Sequence, residues 1–434
     1  MVGWSLQVIE EKEYKKRRDK LASKLVKNSV AVLFSAEQKT RSNDTEYPFR
    51  QNSNYYYLSG FLEDNSCLVF IKGRKKVKTV LFVHKKDKMQ ELWNGERLGA
   101  KAAKKRFLVD EVYEYESFQT KLKTYVSGKR TLYYDFNLNA SRVKNLKKHS
   151  KAIDSFINLS SLVERMRLIK SDSEIAVIKK AISITETAHH RAMCKAPYVK
   201  YEYQLQAEIE HEFKRNGAYS DAYTSIVACG NSANTLHYID NNKKLVKDEL
   251  ILIDAGCEYK YYASDITRTI PVSGRYTKAQ KELYNMVLDV QLKIIKVIQP
   301  GVKRTQIQTD AVELLTRGMV ALGILKGSVK KLIKQEAYKK YYPHGIGHWM
   351  GIDVHDEAPY KYENGKEIPL KRGMVLTIEP GIYIDEKDKS VPKKYRGIGI
   401  RIEDDILVTK NGSENLSRGI AKSVEEVERF YSSL

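Results

Sequence analysis

Residues 250–256 read Leu250-Ile-Leu-Ile-Asp254-Ala-Gly256, a short apolar run that ends on an acid and a glycine. A carboxylate closing such a run is costly to bury unless it is paired or holds a metal. The pattern recurs. Asp265 sits in Ala263-Ser-Asp265-Ile-Thr-Arg268, Glu379 ends Val375-Leu-Thr-Ile-Glu379-Pro-Gly381, and Glu403 interrupts Ile400-Arg-Ile-Glu403-Asp. Four acids on neighbouring strands repel one another, and divalent cations at their focus remove the conflict. With His348 as the one imidazole, the set is mostly hard oxygen, which suits Mn²⁺ or Co²⁺, with Zn²⁺ as an alternative. Two ions ~3.5–4 Å apart can share bridging carboxylates and a bridging hydroxide. Taken singly, an acid placed like Asp254 is more often a turn former or helix cap, Glu379 before Pro-Gly a surface turn, and His348 a packed or surface histidine. Together they would need five unrelated causes to stand beside apolar runs.

Outward from this stretch, periodicity divides the chain. Ser171-Asp-Ser-Glu174 fits a capping box opening a helix to about Met193. Further helices are expected over 201–216, 277–298 and 304–323, with strands at 224–229, 250–254, 374–378, 381–384 and 398–402. This grouping implies an α+β domain with antiparallel sheet over residues 161–434. Ahead of it, a lysine-rich amphipathic helix over 10–27, strands at 30–34, 67–71, 79–83 and 131–135, and helices near 96–106, 117–126 and 139–149 imply an α/β leading domain over residues 1–160. A chain of 434 residues is also too long for one ordinary core.

Composition narrows the partners. Lys and Arg total 76 against 54 acidic residues, a formal charge of +22, so nucleic acid has to be considered. The excess is mostly lysine in scattered pairs such as Lys75-Lys76 and Lys104-Lys105, whereas nucleic-acid readers favour the planar fork of arginine. A solvated, lysine-biased surface with no nucleic-acid partner is the expectation. Cys67, Cys194, Cys229 and Cys257 lie far apart with no CxxC pair, so thiols are expected. No run approaches the ~20 apolar residues of a membrane helix, and the opening MVGWSLQVIEEKEYKKRR carries no long apolar stretch; no membrane association and a cytoplasmic location are expected.

Six segments together resemble one known family. Ile253-Asp254-Ala-Gly, Asp265-Ile-Thr-Arg268, Pro343-His344-Gly-Ile-Gly-His348, Asp353-Val-His355-Asp356, Ile378-Glu379-Pro-Gly381 and Gly399-Ile-Arg401-Ile-Glu403 match, in order and spacing, the pita-bread metallopeptidases, and among them the Xaa-Pro aminopeptidases, with prolidase as close kin. The resemblance spans nearly the whole chain. It implies an α/β leading domain before an α+β pita-bread catalytic domain, and a dinuclear site that hydrolyses the bond before a proline at the second position of a peptide. Asp254 would bind one ion in bidentate fashion, Asp265 and Glu403 would bridge, and His348 and Glu379 would complete the shell of the second ion. Glu379 would also take the proton of the bridging water and help pass it to the leaving proline nitrogen. His237, His344 and His355 match family histidines that bind no metal but line the pocket and stabilise the tetrahedral intermediate or relay protons. Arg401 and Tyr383 match residues near the metal carboxylates. Two residues before Glu403 on a strand, Arg401 faces the same side and could orient Asp254; an ordinary surface arginine is the competing reading.

In the leading half, Tyr47-Pro-Phe-Arg50-Gln-Asn-Ser-Asn54-Tyr-Tyr-Tyr-Leu-Ser-Gly60 resembles the leading-domain signature, and Glu91-Leu-Trp93-Asn-Gly-Glu-Arg97 resembles a segment that lends a tryptophan to a neighbouring subunit's pocket. Trp93 is therefore a candidate substrate contact in a homodimer or homotetramer; a plain core tryptophan is the other reading. The lysine-rich loop 385–394 departs from the bacterial pattern and leaves the rim of the pocket open. Two rivals remain at this point. One is a prolidase confined to dipeptides. The other is a catalytically silent pita-bread module, a class that usually lacks metal ligands, all five of which are present here.

Overall fold

The computed structural model describes residues 9–433. Residues 1–8, the start of the segment read above for an apolar leader, lie outside them. The chain divides into two units, residues 1–167 and 168–434.

In the first unit the β-branched runs pair into a six-stranded sheet ordered Glu111–Glu114, Val77–Val83, Cys67–Lys72, Ser29–Phe34, Thr131–Tyr134, Ser155–Asn158. Ser29–Phe34 runs antiparallel to Cys67–Lys72 and parallel to Thr131–Tyr134, the mixture that a hairpin and helical crossovers produce. Val30, Val32, Val69, Phe82, Phe118 and Leu132 fill the core against it. The outer strands were not expected: at four residues each, partly polar, they are too short to carry a period of two. The helix expected over 10–27 is Glu11–Lys24, and within its lysine-rich sequence it buries Arg17 and Arg18. Their guanidinium groups donate to Tyr57 O, Leu58 O and Leu108 O at 3.1, 2.9 and 2.9 Å. By contrast, helix Lys88–Asn94 buries none of its residues. The core reading of Trp93 is thereby corrected: on a short helix of about two turns it has no apolar layer to enter, and it stands 78% exposed.

The second unit opens as the capping box requires. Ser171 Oγ accepts the Glu174 N–H at 3.4 Å and the Glu174 carboxylate accepts the Ser171 N–H at 3.0 Å, starting helix Asp172–Lys195. Helices Glu202–Arg215, Lys278–Val297 and Arg304–Ala321 follow. They accompany small antiparallel sheets: Ile226–Cys229, Leu250–Asp254 and Thr267–Pro271; Val375–Ile378, Asp404–Val408 and Ser413–Asn415; and the hairpin Gly381–Ile384 with Ile398–Arg401. Strands of two or three residues such as Tyr262–Ala263 escaped the sequence reading for want of a period. The first unit is α/β and the second α+β. Among the described residues the cysteines are free thiols, and no helix is long and apolar enough to cross a membrane.

Candidate metal centre and catalytic pocket

Backbone pairing sets the acids in place. Asp254 ends the central strand, opposite Ile226 on one side and Thr267 on the other. The chain then folds back so closely that a Cβ on Gly256 would lie 1.8 Å from Ser264 O, which requires glycine and brings Asp265 beside Asp254. The Asp265 N–H donates to Asp405 Oδ2 at 3.1 Å. Glu403 lies in the short link between strands Ile398–Arg401 and Asp404–Val408, its N–H donating to Thr267 O at 3.0 Å. The fourth acid, Glu379, directly follows strand Val375–Ile378, and the histidine comes from a loop laid against that strand. Thr377 N–H donates to His348 O and Glu379 N–H to Ile346 O, both at 2.9 Å, while Thr377 Oγ1 accepts the His348 N–H at 3.1 Å. A Cβ on Gly347 would sit 1.9 Å from Thr377 O, so the second glycine of His344-Gly-Ile-Gly-His348 is the condition for this approach.

Ligand atoms of Asp254, Asp265 and Glu403 lie within 4.8 Å of one another, as do those of His348, Glu379 and Glu403. Glu403 belongs to both groups, so the five residues form one continuous donor set with room for two cations. A third group joins Asp265 and His348 to His355; His355 is exposed at the mouth, its ring 4.2 Å from that of His348.

The charges make the case for cations. Burial, reinforced by Asp265, Glu379 and Asp254, pushes Glu403 well above the usual carboxylate range. Burial raises Glu379 to about 7 against the pull of His348 and Arg401, and raises Asp254 although Arg401 opposes it. Desolvation would lower His348, but the Asp265 carboxylate 3.2 Å from Nε2 raises it to about 9. A divalent ion must displace that proton, and it supplies the positive charge the four acids lack. Four hard carboxylates with one imidazole fit a pair of divalent cations.

A cavity of about 680 Å³ opens over this floor, with Tyr223, His237, Arg304, His344, His355 and Arg401 in its walls. His344 Nδ1 lies 2.8 Å from Gly345 O and Nε2 2.8 Å from Tyr383 Oη, so the neutral ring donates to the carbonyl and accepts from the phenol. Burial and the Arg401 charge lower its pKa to about 4, which keeps it neutral. Arg401 is buried, not a surface residue. It donates through Nη2 to Asp254, through Nη1 to Tyr383 Oη at 3.0 Å and through Nε to Thr267 Oγ1 at 3.2 Å. One chain of hydrogen bonds therefore runs Asp254–Arg401–Tyr383–His344. His237 is exposed on the wall. Asp356 pairs with Lys170 at 3.0 Å, both buried, and pins the loop that carries His355. The walls are built by the second unit alone; Trp93 belongs to the first and is not among them.

Two wall residues went unread in the sequence. Tyr223 Oη stands 2.5 Å from Asp254 Oδ1 and 2.5 Å from Asp265 Oδ1; it lies in a turn with no apolar run to single it out. Arg304 begins a helix amid other basic residues and carried no positional signal.

Residues 176–410 match metallopeptidase family M24, and residues 14–133 match the aminopeptidase P N-terminal domain. The chain belongs to metallopeptidase family M24. The family's pita-bread fold is that of the second unit, and the chain is a hydrolase of this class. It is 41% identical over 433 residues to the Xaa-Pro aminopeptidase of Escherichia coli, covering 97% of both chains. The structure of Escherichia coli aminopeptidase P with the inhibitor Pro-Leu superposes with a TM-score of 0.94 at 40% identity, covering 98% of this chain and 99% of that one. The zinc-substituted enzyme in complex with product gives the same TM-score, identity and coverage. Membership of the M24 family accords with a divalent-metal site built from the donor set above.

Proposed function

We propose that this chain is an aminopeptidase that uses two divalent cations to hydrolyse the N-terminal Xaa-Pro bond of peptides. The observation that carries the reading is the convergence of Asp254, Asp265, His348, Glu379 and Glu403 at the floor of one cavity. The selection for proline is supported by the relatives named Xaa-Pro aminopeptidase and by the Pro-Leu inhibitor of the Escherichia coli structure.

Asp254 and the bridging pair Asp265 and Glu403 would hold one ion, and His348 and Glu379 with the same bridges the other. When bound, the ions supply Lewis acidity that brings the pKa of a water toward neutrality. Mn²⁺ is our first assignment on ligand hardness, ahead of Co²⁺ and Zn²⁺. Glu379 is the general base. Its carboxylate stands at the floor of the cavity beside the donor set, where it can accept a proton from the attacking water and return it to the proline nitrogen. His237 and His355 on the walls donate to the oxygen of the tetrahedral intermediate, while His344, neutral and with both ring nitrogens engaged by Gly345 O and Tyr383, lines the pocket and relays protons through the Tyr383 hydroxyl. Tyr383, read from the sequence as a substrate contact, is buried behind His344 and absent from the cavity lining, so its part in substrate binding runs through His344 and Arg401. Arg401 holds Asp254 in its ligating orientation. The uncovered helix Lys88–Asn94, with Met89, Leu92 and Trp93 at 64, 76 and 78% exposure, supports a homodimer or homotetramer in which Trp93 meets a partner's substrate.

Hydrolysis of Arg-Pro-Pro with and without added Mn²⁺ tests the reading, with Xaa-Pro peptides of increasing length beside it. Activity confined to dipeptides would make the chain a prolidase. Absence of any Mn²⁺-dependent cleavage would leave it a silent binding module.

A further inference from the structure

Two guanidinium groups line the cavity, and the chain treats them differently. Arg401 is neutralised by Asp254. Arg304, at the start of helix Arg304–Ala321, has no carboxylate within ion-pair distance among the described residues. It is nevertheless held rigidly. Nε and Nη2 both donate to Gly347 O, at 3.2 and 2.6 Å. Its planar face lies 4.4 Å from the centre of the Tyr360 ring. Tyr360 in turn stacks on buried Trp349, with centroids 5.4 Å apart and planes 19° from parallel. Nη1 is left without a hydrogen bond among the described residues. The side chain is half-buried in the cavity wall, so it has surrendered hydration without gaining a counter-charge. A guanidinium whose rotamer is already fixed binds an anion with little further ordering cost, and its natural partner is a carboxylate.

We propose that Arg304 binds a carboxylate of the substrate, so that the enzyme favours peptides bearing one within reach of the cavity. The inference rests on the peptidase reading above. Two sources of the group fit: an acidic side chain on the residue before proline, or the free C-terminus of a short peptide.

Three peptides separate them, cleaved by the full chain with Mn²⁺: Ala-Pro-Ala-amide as neutral reference, Glu-Pro-Ala-amide, and Ala-Pro-Ala with a free C-terminus. One carboxylate-bearing peptide is expected to exceed the reference in kcat/KM by about tenfold, the ratio one charge-assisted hydrogen bond supplies. Which peptide gains identifies the source. Arg304→Gln is expected to slow all three, because it also releases Gly347, but to slow the favoured peptide about tenfold more. Equal losses on all three would reduce Arg304 to a prop for the Gly347 loop and overturn the proposal, as would a parent enzyme indifferent to both carboxylates. That second comparison needs no variant and decides the matter even where Arg304→Gln fails to fold. Failure to cleave any of the three peptides would instead sink the peptidase reading itself, and this inference with it.

Discussion

Replacing Arg401 with methionine removes the counter-charge of Asp254 while keeping a side chain of similar reach. Asp254 then retains the Tyr223 hydroxyl at 2.5 Å but loses its cation, and Tyr383 and Thr267 lose donors at 3.0 and 3.2 Å. Stranding one partner of a buried ion pair typically costs about 3–5 kcal/mol. Protonation sets a ceiling. Bringing an aspartic acid, whose ordinary pKa is 3.8, to its neutral form at pH 7 costs at most about 4 kcal/mol, less whatever proton burial has already placed on Asp254. A loss of about 3 kcal/mol in the metal-free protein is therefore expected, and for a unit of this size it lowers the melting temperature by roughly 6 °C. Bound cations compensate the stranded acid, so saturating Mn²⁺ shrinks the deficit, although affinity for the metal falls about 10- to 100-fold. Calorimetry of the chelated protein, with its two units resolved, and titration with Mn²⁺ read both numbers. At pH 5 the gap narrows, because a stranded Asp254 there takes up a proton at little cost. A metal-free melting point within about 2 °C of the parent at pH 7, together with unchanged metal affinity, would refute the claim that Arg401 governs Asp254.

Glu379→Ala is expected to lower kcat by at least the 10²–10⁴-fold typical of a lost general base, with the fold intact by circular dichroism; substantial residual turnover would remove its assignment. The metal-free protein is expected to lose stability as pH rises from about 7 to 9. His348 is raised to about 9, and a raised folded-state pKa contributes stability that is complete below the unfolded value and vanishes as pH climbs through the folded one. For a shift from 6.5 to about 9 this is roughly 3 kcal/mol; Mn²⁺ should flatten the decline, and a melting point that rises over this range would contradict it. Gly347→Ala places a methyl 1.9 Å from Thr377 O, so it should displace His348 and cost several kcal/mol, roughly the range of severe core mutations. A variant with parental stability and metal affinity would show that the loop yields easily.

Much of the site was legible because the four acids end or flank apolar runs, a placement with few innocent causes, whereas His348, on a loop, was legible only through the resemblance of His344-Gly-Ile-Gly-His348. The offset of two between Arg401 and Glu403 also pointed to the side on which Asp254 waits. Tyr223 was illegible because neither its turn nor its chemistry signals that the chain will fold its hydroxyl between two acids 31 and 42 positions away. Arg17 and Arg18 were hidden by composition: in a helix crowded with lysine, nothing local distinguishes a buried guanidinium from a solvated one. In the fold, long helices with caps such as Ser171 and Thr277 announce their own starts, whereas the short edge strands exist only because a neighbour offers them a ladder.

The four converging acids have a consequence for how such a chain changes over generations. Without cations the acids are costly to bury together, so trading Glu403 for a neutral amide is expected to relieve the metal-free fold, and on the mechanism proposed above it would also end turnover. Folding alone would reward that trade. A lineage released from its substrate would therefore shed its acids readily and drift toward a sturdier, inert scaffold, and only continued demand for turnover keeps the fold under tension.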